Sequence, residues 1–110
     1  MNNNDRILLS HILVQCDKIL KITSRISYTV FLEDTIYQDA LIRPLEIIGE
    51  AAGQLSEEFK SEHDDIPVST MKGLRNILVH QYFAVDLRSV WNIAMNDVPI
   101  LHKQLLEILH

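Results

Sequence analysis

The sequence predicts an all-α protein, an antiparallel bundle of four to five helices. Three observations carry that prediction. With three glycines and three prolines in 110 residues, the chain has too few breakers for a turn-rich β fold. Apolar residues recur at intervals of three and four along most of its length, the spacing that gathers them on one helix face. The segments between these patterned runs are short, which favours antiparallel neighbours. A single domain spanning residues 1–110 is expected, large enough for a core and small enough that pairing with a second copy would bury useful surface.

The first helix is predicted from about Asn4 to Ser24, with Leu8, Ile12, Cys16 and Ile19 in one row and Asn4 or Asp5 as its cap. Cys16 is the only cysteine, so it forms no internal disulfide, and its place in that row marks it as a small buried hydrophobe. The stretch "TSRISYTVFLED" loses the period and reads as a connection or a frayed end. The second helix carries a heptad-like seam of Leu41, Leu45, Ile48, Ala52, Leu55 and Phe59, beside a second stripe of Ile36, Ala40, Ile47 and Ala51. So wide an apolar arc packs on two sides. Pro44 falls inside it and predicts a kink rather than a break, because the seam keeps its register across the proline. "KSEHDDIP" reads as a loop. A third helix starts near Ser69, with Val68, Met71, Leu74 and Leu78 turned inward, and "HQYFAVD" ends it. The last helix runs from an Asp86 cap to Leu109 through Val90, Ile93, Ala94, Val98, Leu101 and Leu105. Pro99 predicts a kink in it, and Trp91 a core anchor.

Several function classes fall away on composition. Apolar residues at 47% and charged residues at 23% describe an ordinary globular chain, not a disordered one. "MNNNDR" lacks the basic start and apolar run of a signal peptide, and no apolar stretch approaches the roughly 20 residues of a membrane helix. The expected location is the cytoplasm. The five histidines, at 11, 63, 80, 102 and 110, stand apart, and no metal-ligand spacing, glycine-rich phosphate loop or Gly-x-Ser-x-Gly occurs. Neither a metal nor a cofactor is expected. The formal net charge of −5 opposes broad binding to nucleic acid. Between Ser69 and Arg88, however, Lys72, Arg75 and Arg88 stand against Asp86 alone, a local +2 that leaves −7 to the rest of the chain.

That segment contains "KGLRNILVHQYF", the richest cluster of reactive groups. An imidazole at His80 suits proton transfer near neutral pH, and a guanidinium at Arg75 suits a phosphate gathering charge. Together they are equipped to cleave RNA through its ribose 2′-hydroxyl, a reaction that requires no metal. Five residues along one helix turn by about 140° and rise ~7.5 Å, so Arg75 and His80 do not share a face. Asn76, four before His80, does share its face and can orient the ring. Arg75 reaches the site by its length, by a helix break after Val79, or across a two-fold axis from a second copy. Spacing alone favours the ordinary reading, a solvated polar end of a helix in a helical bundle. A second polar line, Arg43, Glu46 and Glu50, reads first as a solvated face with an internal ion pair. Its functional reading has Glu46 or Glu50 orienting Arg75 or His80 from a neighbouring helix.

The order of these pieces resembles a known family. "LRNILVHQY" is similar to the Arg-x-x-x-x-His-x-Tyr motif of HepT-like toxins in the HEPN superfamily. "RPLEIIGEAAGQLS" resembles that family's long second helix and "DLRSVWNIAMNDVPILHKQL" its closing helix. The resemblance spans almost the whole chain and implies an all-helical, HEPN-like homodimer with the motif helices near the two-fold axis. It implies a ribonuclease toxin that acts on RNA and is paired with a nucleotidyltransferase antitoxin. By the same resemblance, Arg75 and His80 match the catalytic pair. Tyr82 matches the tyrosine that the antitoxin modifies with AMP, which would block RNA by charge and bulk. Two departures stand out. Gln81 replaces a glycine common between the histidine and tyrosine, and Val68 an aromatic common before the motif helix. The competing reading is a noncatalytic module that binds the nucleotidyltransferase and is modified by it.

Overall fold

The computed structural model describes residues 1–80 and 86–110, without the side chains of residues 75–80. The chain forms α1 (Asn3–Thr23), α2 (Tyr28–Glu33), α3 (Thr35–Ala52), α4 (Glu57–Glu62), α5 (Val68–His80), α6 (Leu87–Asn92) and α7 (Val98–Leu109). A π-helical turn, Ile93–Asp97, joins the last two into one run. No strand occurs among the described residues. The four predicted long helices are therefore present as α1, α3, α5 and the α6–α7 run, and two short helices join them.

Helix α1 buries Leu8, Leu9, Ile12, Cys16 and Ile19, as its period requires. Its cap is Asn2 rather than Asn4 or Asp5: the Asn2 side chain accepts the Asp5 backbone N–H at 2.7 Å. The Asp5 carboxylate is engaged elsewhere. Only 2% exposed, it accepts the Ser56 backbone N–H at 3.0 Å and the Ser56 hydroxyl at 2.6 Å. A residue that looked like a local cap is a joint between two distant parts of the chain.

The segment expected to be a connection contains α2. Ser27 caps it by accepting the Val30 N–H, and Phe31 is fully buried, 5.4 Å ring to ring from Trp91. Tyr28 lies 5.9 Å from the same indole. Trp91 is thus a half-buried anchor that seats α2 on α6. The Gln38 amide donates to the carbonyls of Phe31 and Leu32, satisfying groups that the end of α2 leaves unpaired. Six residues are too few to display a 3.6-residue period, which is why the pattern missed this helix.

Helix α3 passes through Pro44 without interruption, with that ring buried. It ends at Ala52, however, short of the predicted seam. Leu55 lies in the connection, and Phe59 sits on α4, which Ser56 caps by accepting the Phe59 N–H at 3.0 Å. All six seam residues are nevertheless buried, so the apolar row outlasts the helix. The second stripe is uneven: Ala51 is buried, but Ile36 is 74% exposed. Lys60–Glu62, read as the start of a loop, belong to α4; the loop begins at His63.

Val68, Met71 and Leu74 turn inward from α5, as expected. The expectation for Leu78, and for a break at "HQYFAVD", lies outside the described residues. Asp86 caps α6 as predicted, accepting the N–H groups of Arg88 and Ser89. Those hydrogen bonds, with the Ser89 hydroxyl foremost, hold its carboxyl below the usual aspartate range. Pro99 produces a widened turn. It has no N–H to donate, and its ring crowds the carbonyl four residues back. The chain accommodates this by a π turn in which the Val98 N–H donates to Ile93 O.

Helix α3 is central: its most extensive contacts are with α5 and α1, while α7 lies along α1. Among the described residues, no helix is long and apolar enough to cross a membrane.

Candidate functional site

Arg75, Asn76 and His80 all lie on α5, which is continuous from Val68 to His80. A break after Val79 therefore does not bring Arg75 and His80 together. Their own side chains, and Tyr82 with its neighbour Gln81, lie outside the described residues. The surroundings of α5 differ on its two flanks.

On one flank, Thr70, Met71 and Leu74 face α3 and α7 across a groove of about 370 Å³. Leu45, Ile48, Val98 and Leu101 give it an apolar floor, and Asp65 and Asp97 stand at its edge. Two carboxylates beside an apolar surface repel a phosphate chain. At about 100° per residue, this flank points roughly opposite to Lys72.

The other flank meets the end of α3. Lys72 lies against Gly53, where a Cβ would stand 3.7 Å from Lys72 Cγ. This contact also fixes the direction of α5. Lys72 is near the beginning of α5 and Gly53 follows the end of α3, so α5 must run back along α3 for the two to pack so extensively. The pair is antiparallel, as expected. Sequence reasoning counted Lys72 in the local charge but gave it no role. The missed signal is its position four residues before Asn76 and eight before His80, in one row of the helix.

Glu46 and Glu50 lie on α3, on the line that leads to Gly53. Glu46 accepts from Arg43 Nη1 at 3.1 Å, with the Arg43 side chain 63% exposed. The internal ion pair expected on a solvated face is present. Glu50 is exposed. Among the described residues, no group of three His, Cys, Asp or Glu side chains is arranged to hold a metal ion. Cys16 lies in the core, where burial first and the neighbouring Asp17 charge second push its thiol up to about 12. It is not a nucleophile near neutral pH.

Comparison with known proteins finds relatives over nearly the whole chain. Over 101 residues, covering 92% of this chain and 90% of the relative, it is 39% identical to "Putative RNase TTE0752" of Caldanaerobacter subterraneus subsp. tengcongensis. It is 38% identical over 96 residues to "Putative RNase MJ1380" of Methanocaldococcus jannaschii, covering 87% of this chain and 88% of the relative. "Probable ribonuclease HepT" of Thermococcus cleftensis is 38% identical over 101 residues and 92% of both chains. No solved structure gives a significant match. Residues 12–108 match the family model described as ribonuclease HepT-like, and with relatives of this closeness over nearly its full length, the chain belongs to the HepT-like ribonuclease family of the HEPN superfamily.

Proposed function

We propose that the protein is an endoribonuclease toxin whose reaction centre is built from Arg75 and His80 of two chains. His80 exchanges the proton of the ribose 2′-hydroxyl, and Arg75 holds the phosphate as it becomes pentacovalent. The observation that carries the reading is the unbroken α5 in a chain of this family. One straight helix sets the two residues about 140° apart. Two copies of α5 paired about a two-fold axis bring the arginine of one to the histidine of the other. Asn76, four before His80, orients the imidazole.

The antiparallel register supports a part for α3. Setting Gly53 against Lys72 puts Glu50 at the level of residue 75 and Glu46 at the level of residue 79. In this proposal Glu50 orients the arginine. Glu46, already paired with Arg43, has a weaker claim. In this proposal Tyr82, two residues beyond His80, accepts AMP from a nucleotidyltransferase antitoxin, and the added phosphate and base close the site to RNA.

One preparation tests both parts. Purified protein treated with a chelator is assayed on RNA, and Arg75→Ala and His80→Ala are expected to lose at least a hundredfold in cleavage rate. Equal cleavage by wild type and both variants would remove the assignment. The same protein, incubated with the nucleotidyltransferase and ATP and then weighed, is expected to gain mass in AMP increments that Tyr82→Phe abolishes. Mass gain without any cleavage by the unmodified protein would instead favour the noncatalytic module.

A further inference from the structure

We infer that Lys72 is an RNA-backbone contact, the entry point of a phosphate track that runs along α5 toward His80, with Gly53 holding the lane open for it. The inference rests on the ribonuclease reading and names how that site takes hold of its substrate.

Three observations converge on Lys72. It is exposed, and among the described residues it has no ion-pair or hydrogen-bond partner. Lys60, by contrast, pairs with Glu57 at 3.1 Å on α4. Second, Lys72 occupies the same helical row as Asn76 and His80, and it precedes Arg75 by three. The row from Lys72 to His80 is ~12 Å long, enough for a nucleic-acid strand to lie on rather than touch at one point. Third, the missing side chain at Gly53 lets the alkyl stem of Lys72 lie against the end of α3. The Gly53 backbone is in the ordinary right-handed region (φ −64°), so this glycine is not needed for its conformation. What matters is that the residue is small: a Cβ there would make only ordinary contact with the stem at 3.7 Å, whereas a longer side chain would crowd the ammonium and an acidic one would neutralise it.

The distribution of charge explains why RNA would choose this flank. From Glu57 to Asp65 the chain carries five carboxylates against Lys60 alone, and the groove on the opposite flank is edged by Asp65 and Asp97. In a protein of net charge −5, nonspecific attraction to RNA is absent, so a few fixed cations set the path. An unpaired lysine next to the motif residues is the described group best suited to that role.

The test is salt-dependent binding of a 2′-O-methylated, mixed-sequence single-stranded RNA, which cannot be cut through its 2′ position. Each phosphate contact contributes about −0.7 to the slope of log K against log salt for single strands. A site shared by two chains carries two copies of Lys72, so Lys72→Gln should flatten the slope by roughly 0.7 to 1.4. It should weaken binding severalfold at low salt and slow cleavage of subsaturating unmethylated RNA by a similar factor. Gly53→Glu keeps the lysine but sets a carboxylate beside it, and should reproduce the loss, whereas Gly53→Ala should not. Wild-type slope and affinity in both Lys72→Gln and Gly53→Glu would overturn the inference while leaving Arg75 and His80 untouched. Absence of RNA binding and cleavage by the wild type would overturn it together with the ribonuclease reading.

Discussion

Helices α1 and α5 use their polar residues in opposite ways. At α1 three polar groups are tied into the scaffold: Asn2 caps the helix, Asp5 is buried against Ser56, and Asp17 accepts from the ring Nε2–H of His102 on α7 at 2.7 Å. On α5, Lys72 has no partner among the described residues, and its row leads to the proposed reaction centre. A polar side chain satisfied within its own fold contributes to stability. One left unsatisfied at the surface is available to a ligand. Changes on α1 and α5 should therefore separate stability from activity.

The largest effect expected is on α5, where the hundredfold or greater loss of cleavage in Arg75→Ala and His80→Ala should come with almost no change in thermal midpoint. A large fall in midpoint would make those residues scaffold and erase the contrast. Next is Asp5→Ala on α1. It strands a part-buried N–H and hydroxyl of Ser56, and hydrogen bonds to a charged group contribute about 1.5–3 kcal/mol each before losses overlap. Denaturant unfolding should show a loss of roughly 2–4 kcal/mol. Cleavage per folded molecule should be unaltered; a parallel loss of turnover would join Asp5 to the site.

The smallest effect is a pH dependence at Cys16. Its thiol is raised from 9.0 to about 12 in the folded chain, mainly by burial. Folding therefore favours the protonated thiol. Its contribution is fully present below the unfolded value near 9 and is lost as pH rises toward 12. Urea midpoints should fall across that window in wild type, and the part of the fall due to Cys16 should vanish in Cys16→Ala. An identical alkaline slope in both proteins would show that the thiol is not held neutral.

The comparison also shows what could be read from residue order. The long helices were legible because thirteen or more residues sample the helical period several times. α2 and α4 were not, because six residues sample it less than twice. Phe59 illustrates the point: it continues the spacing of α3 and is buried with it, yet it belongs to a separate helix set off by Ser56. Pro44 and Pro99 read alike in sequence. One lies within an unbroken helix and the other follows a π turn, a difference that the residue order does not display.

By itself, the sequence determined the helical class, the core rows, the Asp86 cap and the motif spacing, because these depend on periodicity and local hydrogen bonding. Tertiary structure alone decided that Asp5 joins α1 to α4, that Phe31 seats α2 on Trp91, and that Lys72 lies over Gly53. Those are contacts between residues far apart in the chain, and side-chain chemistry fixes them only after the core has brought the helices together.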